Sequence, residues 1–419
     1  MRRRRKRRGL RLWNVGLVLS LTFVAAVAIA AAVFFAGWDL LGARGLKEQR
    51  QLTSQTLFDL VKLAFGVVAG AGALVALVVA YRRQRVDEDG ALREATRLHT
   101  ERFTTAVSQL GDESAAVRLG GVHALAGLAD DAPTDLLRQT CIDVLCAYLR
   151  LPYTAEADLP PDDTAARHAY QASREVRHTI IRLIRDRTSV ASEKTHHSWQ
   201  GYDLDFTGVV FDGGDFSGAV FTGGTVHFVD AVFTGDRFDF TGTRLSAGRV
   251  DFTGAEFSNG GVHFVDAEFS SGTVDFSGAR FSGATVNFVD AQFSGATVNF
   301  VFAQFSDGTV DFSGAAFSDG MADFSGARFS GAEVLFADAR FSGAEVLFTA
   351  AEFSSGTVDY TAAEFSISGT VDFVHARFRG GFLDLASAVG RAPDHLLPPP
   401  GQPLPPGLRV PPRWRSPVP

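Results

Sequence analysis

The residues whose types could do chemistry are few, and their spacing does not assemble a reaction centre. Cys141 and Cys146 lie five positions apart. Five residues on a helix point in different directions, so a bridge between them is not expected. Two cysteines in 419 residues make no disulfide scaffold and suit a reducing compartment. As buried thiols they read as small apolar side chains. His196 and His197 are an isolated pair in a loop and read as solvated. No glycine-rich loop followed by Lys-Ser or Lys-Thr is present to cradle a phosphate, and no His/Glu or Cys/Cys pair has metal spacing. Recurrent aspartates such as Asp239, Asp251 and Asp275 are interrupted by His227, His263, Asn287, Asn299, Leu335 and Leu347. They make no repeating calcium site and read as solvated charge. The expectation is a protein that is not an enzyme, with no catalytic residue, cofactor or metal ligand.

The chain must then act through its architecture, and charge divides it. Residues 1–200 carry 28 Lys and Arg against 21 Asp and Glu, net +7. Residues 201–389 carry 8 Arg, no Lys and 25 Asp and Glu, net −17; residues 390–419 are net +3. A basic front, an acidic body and a short basic tail follow one another.

The front carries two apolar stretches. Residues 1–11 form a polybasic head with eight positive charges, and no charge interrupts Leu12 to Trp38. These 27 residues exceed the ~20 that cross a bilayer core and the ~7–15 of a signal-peptide core. Trp13 and Trp38 stand at the ends, where indoles favour the interface. The second stretch, Leu63 to Tyr81, is stopped by Arg82-Arg83-Gln84-Arg85, and Asp59 and Lys62 at its entry can snorkel. The expected spans are 12–38 and 57–81, with 39–56 as a short external loop. The Lys/Arg bias places both termini in the cytoplasm of a multi-pass protein of the cell membrane. Gly66 and Gly70 make a small-xxx-small step, extended by Gly72. Such a groove would pair the two spans or join two chains as a homodimer; equally, glycine is simply frequent in membrane helices. The lipid bilayer is thus an expected partner, with anionic headgroups at the polybasic head.

Residues 82–198 read as a small all-α cytoplasmic domain. The second span can continue to residue 112 with Gly90 as the one breaker; Gly111 stops it and Asp112 is placed to cap the next helix. Leu119, Val122, Ala126 and Ala129 fall at helical spacing. Pro133 and Thr134 open another helix, along which Leu137, Cys141, Val144 and Tyr148 line one face until Pro152. Residues 164–188 form an Arg-rich helix with Ile180, Ile181 and Ile184. The pair 109–130 and 133–151 resembles one HEAT-type helical repeat, which cannot bury its own face and must pack on neighbours.

From residue 199 to 389 an internal repeat decides the fold. Phe206, Phe211, Phe216 and Phe221 recur every five residues; thereafter the spacing alternates seven and five, with centres that include Phe252, Phe276, Phe300, Phe324 and Phe348. The unit is twelve residues, as in Val274–Thr285, and a single eight-residue step inserts near Ile367. Two positions before nearly every centre stands a small or apolar residue, with a polar one between, the alternation of a short strand buried on one face. Ser, Thr, Gly or Asp follow each centre and turn the chain. Each buried Phe contributes about 1.5–3 kcal/mol. Phe302 occupies an outward position and reads as an isolated surface apolar residue.

The motif Ala-Asp-Phe-Ser-Gly at 322–326 resembles the pentapeptide-repeat family, over about residues 202–380, and two N-terminal spans ahead of it resemble membrane-anchored actinobacterial members. The resemblance implies a right-handed quadrilateral β-helix. The departure is that alternate repeats carry two extra residues, so that only 204–221 would make a square coil of the ordinary kind.

Coil length follows from charge. Stacked residues of adjacent coils lie ~4.8 Å apart, where like charges repel. Stacking every twelve residues sets Glu256 on Glu268, Arg328 on Arg340 and Glu352 on Glu364. Stacking every twenty-four sets Glu256 on Arg280, Arg244 on Glu268, Arg328 on Glu352, Arg340 on Glu364 and Glu352 on Arg377, and leaves only Asp251 over Asp275 as a like pair. About 24 residues per coil, seven or eight coils and a rod of roughly 35–40 Å are therefore expected.

Eleven of the fifteen prolines lie between Pro393 and Pro419, so 390–419 is expected as a polyproline or disordered tail. The functional expectation is a membrane-anchored scaffold that presents a rigid acidic solenoid to a protein partner at the cytoplasmic face. The alternative, implied by the family resemblance, is nucleic-acid mimicry directed at a type II topoisomerase. The net −17 suits it; the membrane tether and the Arg mixed into the columns count against it. No nucleic-acid ligand is expected.

Overall fold

The computed structural model describes residues 54–415 except 157, 158, 161, 194, 236 and 400, with helical positions 24, 27, 28, 31, 32, 35, 36 and 39. The polybasic head and the loop 40–53 lie outside the described residues, as does most of the expected first span, 12–38. The chain divides into two compact units, 1–97 and 98–419.

Helix α1 spans Ser54–Leu110. It is the one helix among the described residues long and apolar enough to cross a membrane, and its most apolar stretch is wholly exposed. Gly90 does not interrupt it: a glycine costs a helix only about 1 kcal/mol, and the residues around it are strong helix formers.

Within the second unit the end of α1 packs on α2 (Ala115–Asp130) and α3 (Asp135–Leu149), and α4 (Thr164–Thr188) packs on α2 and α3. The starts follow ordinary capping chemistry. The Thr134 hydroxyl accepts from the Leu137 amide at 3.3 Å and the Asp163 carboxylate from the Ala166 amide at 2.9 Å. Asp112 acts one step earlier than expected. Its carboxylate accepts from the Ser114 amide at 2.8 Å, and Ser114 is the N-cap. Gly121 lets α1 and α2 meet, since a Cβ there would come within 2.6 Å of the Leu110 nitrogen. The expected apolar face of α3 is wider than Leu137, Cys141, Val144 and Tyr148. Of those four only Cys141 is fully buried and the others are half-buried, whereas Ile142, Leu145, Cys146 and Leu149 are buried, because α3 is packed by helices on one side and by the first strand of the solenoid on the other.

From Leu204 the chain winds as a parallel β-solenoid of about eight turns. Its coils form two sheets of 12 and 13 strands, one for each twelve-residue half of the coil. Glu268 lies between Arg244 and Gln292 in register, and Arg280 between Glu256 and Gln304, so the repeat is 24 residues. The first coil takes 22, with Leu204 against Val226, because three of its four steps between centres are five residues and one, Phe221 to Phe228, is seven. Glu345 meets Thr370, a step of 25, where the insertion carries Ile367 outward, 85% exposed.

The core is made of four aromatic columns. Phe252, Phe276, Phe300, Phe324 and Phe348 stack with centroids 4.7, 4.9, 4.7 and 4.9 Å apart. The neighbouring column crosses it edge-on, as Phe276 and Phe288 show at 6.0 Å and 88°. Both arrangements place a ring edge or offset face against a π-face, the favoured geometries. Phe206, the first centre, is fully buried and stacks on Phe228 at 5.1 Å.

The corners fix the path between halves. In Phe276-Ser-Gly-Ala279 the Ala279 amide donates to the Phe276 carbonyl at 3.0 Å and Gly278 has φ +66°. A left-handed residue at the third turn position is what a type II turn demands. Asp230, Asp266, Asp290, Phe302 and Asp338 hold the same conformation without being glycine.

Two expectations are corrected. The aspartates before the centres are not merely solvated. Asp275, Asp311 and Asp323 each accept a hydrogen bond from the amide two residues on, at 3.1, 2.8 and 2.8 Å, which begins each corner. The proline-rich segment is not a free tail up to residue 415. Leu408 and Arg409 pair with Leu383 and Asp384 as a further strand, Leu396 and Val410 are buried, and the Trp414 ring lies 6.0 Å from that of Phe365. The physical reason is the unpaired end of the last coil: a short strand there satisfies its exposed backbone groups and covers its rings.

Candidate functional site

The helical region closes the first end of the solenoid, and the junction is where polar groups concentrate. Arg187 holds Asp130 through two hydrogen bonds, 2.9 and 2.7 Å, and the Trp199 indole donates to the same carboxylate at 3.0 Å. Arg138 donates to the Ala129 and Asp130 carbonyls at the end of α2 and to the His196 carbonyl. Arg150 pairs with Asp205. Buried Arg177 donates to the Leu149 carbonyl at 2.7 Å and the Val210 carbonyl at 2.6 Å, with its guanidinium 4.1 Å from the centre of the Tyr153 ring. Together these fasten the helices to one another and to the chain that enters the first coil.

Beside them lies an open cleft of about 450 Å³, walled by α4 and floored by Asp212-Gly213-Gly214-Asp215. Arg174, His178, Arg182 and Arg185 recur at steps of four, four and three, so that one face of α4 supplies the wall. Asp212 is 8% exposed and accepts from four donors: Tyr153 at 2.6 Å, Tyr170 at 2.8 Å, Arg174 at 3.1 Å and His178 at 3.2 Å. Burial alone would raise its pKa. The hydrogen bonds from His178, Tyr153 and Tyr170 outweigh burial and hold the carboxyl well below the usual range. Burial, with Asp212 beside the ring, pushes the Tyr170 hydroxyl up to about 12. Asp212 therefore stays an anion and the two phenols stay neutral donors, an arrangement suited to holding shape rather than to moving protons.

The glycines of the floor are required. A Cβ on Gly214 would come within 2.5 Å of the Phe238 ring, and Gly213 has φ +120°. Arg185 pairs with Asp215, and Arg237 with Asp239. Among the described residues Arg182 makes neither an ion pair nor a hydrogen bond.

The residues singled out from the sequence fall elsewhere. Gly66 and Gly70 lie in α1, where an added Cβ would have nothing within 4 Å. The solenoid centres are core. His196 and His197 are exposed. Cys141 and Cys146 are buried and unbridged; burial pushes their thiols to about 11 and about 12, so neither is a thiolate at neutral pH. Among the described residues no group of three His, Cys, Asp or Glu side chains could hold a metal. The cleft was missed in the sequence, although two signals point to it: the cationic face of α4, and Asp-Gly-Gly-Asp at 212–215, which breaks the Ser-Gly-Ala corner pattern.

The fold thus defines a parallel β-solenoid closed by a helical cap at its first end and by the chain's own C-terminal segment at its last. Comparison with protein-family models, with curated proteins and with solved structures gave no match.

Proposed function

We propose that the chain is a membrane-anchored member of the pentapeptide-repeat class, right-handed in its winding, that acts as a non-enzymatic scaffold. It would cross the membrane twice with both termini in the cytoplasm and hold the solenoid at that face for a protein partner. The observation that carries this reading is the solenoid's construction. Four stacked aromatic columns hold outward side chains of two parallel sheets at fixed spacing, which is a surface built for contact. The exposed apolar stretch of α1, ended by Arg82, Arg83 and Arg85, supports the tether.

The test is site-specific photocrosslinking in native membranes, with the reactive group at exposed Glu333 or Glu345 on the solenoid and, as a control, at exposed Arg167 on α4. One recurring protein adduct confined to the solenoid positions is the expected result. Equal adducts at all three positions would move the binding surface off the solenoid. Topoisomerase subunits as the dominant adduct would replace the scaffold with nucleic-acid mimicry. That reading is disfavoured by the Arg side chains that interrupt the acidic columns, Arg249 among them.

A further inference from the structure

We propose that the cleft between α4 and the first coil binds a tetrahedral oxyanion: phosphate, free or as the phosphoryl group of a larger molecule. Four guanidinium groups and three carboxylates line it. Their pairing decides what faces the void. Asp212 is saturated by four donors, and Asp215 is held by Arg185. Arg182, on the α4 wall, remains exposed and uncommitted. Arg174 is bonded to Asp212 through Nε, and Arg237 to Asp239. Guanidinium forks placed at separate points around a cavity suit an anion with several oxygens at its corners better than a compact ammonium ligand would.

The floor at Gly213 and Gly214 is bare backbone, with the Arg237 carbonyl and the Phe238 ring where their Cβ atoms would stand. One further feature favours an anion. The walls are protein on both sides, so the field of the cations is focused into the cleft, at one end of a body that is otherwise strongly acidic. Glu175 is the opposing carboxylate on the rim and makes binding weaker than the guanidinium groups alone would give.

The experiment uses the full chain in detergent. Calorimetric titration and thermal unfolding are run with inorganic phosphate and pyrophosphate, against chloride at equal ionic strength. Saturable binding and a raised Tm with phosphate are expected. Arg182→Ala should weaken binding about tenfold or more, the loss associated with a charged hydrogen bond, and Arg182→Lys should recover part of it. Glu175→Gln should tighten binding a few-fold, an effect that a purely structural role for this face would not produce. Arg182 makes no contact that folding needs, so the melting curve of Arg182→Ala without phosphate should match that of the parent. A phosphoserine peptide and glycerol phosphate, titrated beside the free ion, distinguish a phosphoryl group on a larger molecule from phosphate itself. Phosphate no better than chloride, or equal binding by Arg182→Ala, overturns the proposal.

Discussion

The guanidinium of Arg249 lies 2.7 Å from the carboxylate of Asp275, one coil further along, and 3.0 Å from that of Asp251 directly above it. The 24-residue register stacks those two aspartates on each other. The like-charge contact that this register leaves between them is thus bridged by a cation two residues from one of them. Burial works against the charge on Asp251, but the Thr253 hydroxyl and amide and Arg249 hold its pKa below the ordinary value.

Removal of Arg249 should therefore cost more than the loss of a surface ion pair. Arg249→Ala is expected to destabilise the solenoid by about 1–2 kcal/mol. Adding Asp275→Asn should restore most of it, because the repulsion then disappears with its cause. Thermal unfolding of the single and double variants tests this; an unrescued loss would point to packing of the Arg249 stem instead.

Asp212 gathers four donors at the junction of cap and solenoid. Asp212→Ala leaves Arg174, His178 and two phenols without their acceptor and is expected to cost about 3 kcal/mol or more. Its depressed pKa gives the sign with pH. The contribution is present above the ordinary carboxylate range and is lost as pH falls through the depressed value. The Tm difference between the parent and Asp212→Asn should hold steady between about pH 7 and 5 and shrink below about pH 4. Equal acid profiles for the two proteins would sink the assignment.

Tyr360 stands in a phenylalanine column, stacked 4.7 Å from Phe336, fully buried and with no partner for its hydroxyl among the described residues. Burial alone drives its pKa far up. Tyr360→Phe removes an unsatisfied polar group at almost constant shape and is expected to raise stability by about 1 kcal/mol. A lowered Tm would show that the hydroxyl is satisfied in solution.

Phe302, 68% exposed with φ +57°, lays its ring over Gly326 of the next coil, where a Cβ would come within 2.6 Å of the ring. Gly326→Ala meets two penalties, the ring and a φ of +66°. The backbone part is about 1–2 kcal/mol. Phe302→Ala should relieve the steric part only, so a double-mutant cycle should give a coupling of at least about 0.5 kcal/mol. A coupling near zero would mean that the ring swings aside freely.

A chain ending at residue 390 loses the strand at Leu408–Arg409 and the ring of Trp414 from the last coil. The bared edge should pair with its like, seen as larger species in size-exclusion chromatography and a lower Tm. A monodisperse truncated chain would show that the segment is no cap.

Much of the fold was legible because it is periodic. The five-and-seven spacing of Phe gave the solenoid, and opposite charges at Arg244 and Glu268 gave the coil length, confirmed by their ion pair at 3.2 Å. A repeat exposes its own neighbours in the sequence, since each coil contacts only the next. The helix starts at Thr134 and Asp163 were equally local. The tertiary structure alone decided what is not periodic. The last thirty residues have the composition of a disordered tail, yet most of them are held by the end they cover, which no local pattern records. Asp212, Tyr153, Tyr170 and His178 meet across up to 59 residues of chain, so their shared hydrogen bonds and the cleft beside them exist only once α4 is set against the first coil.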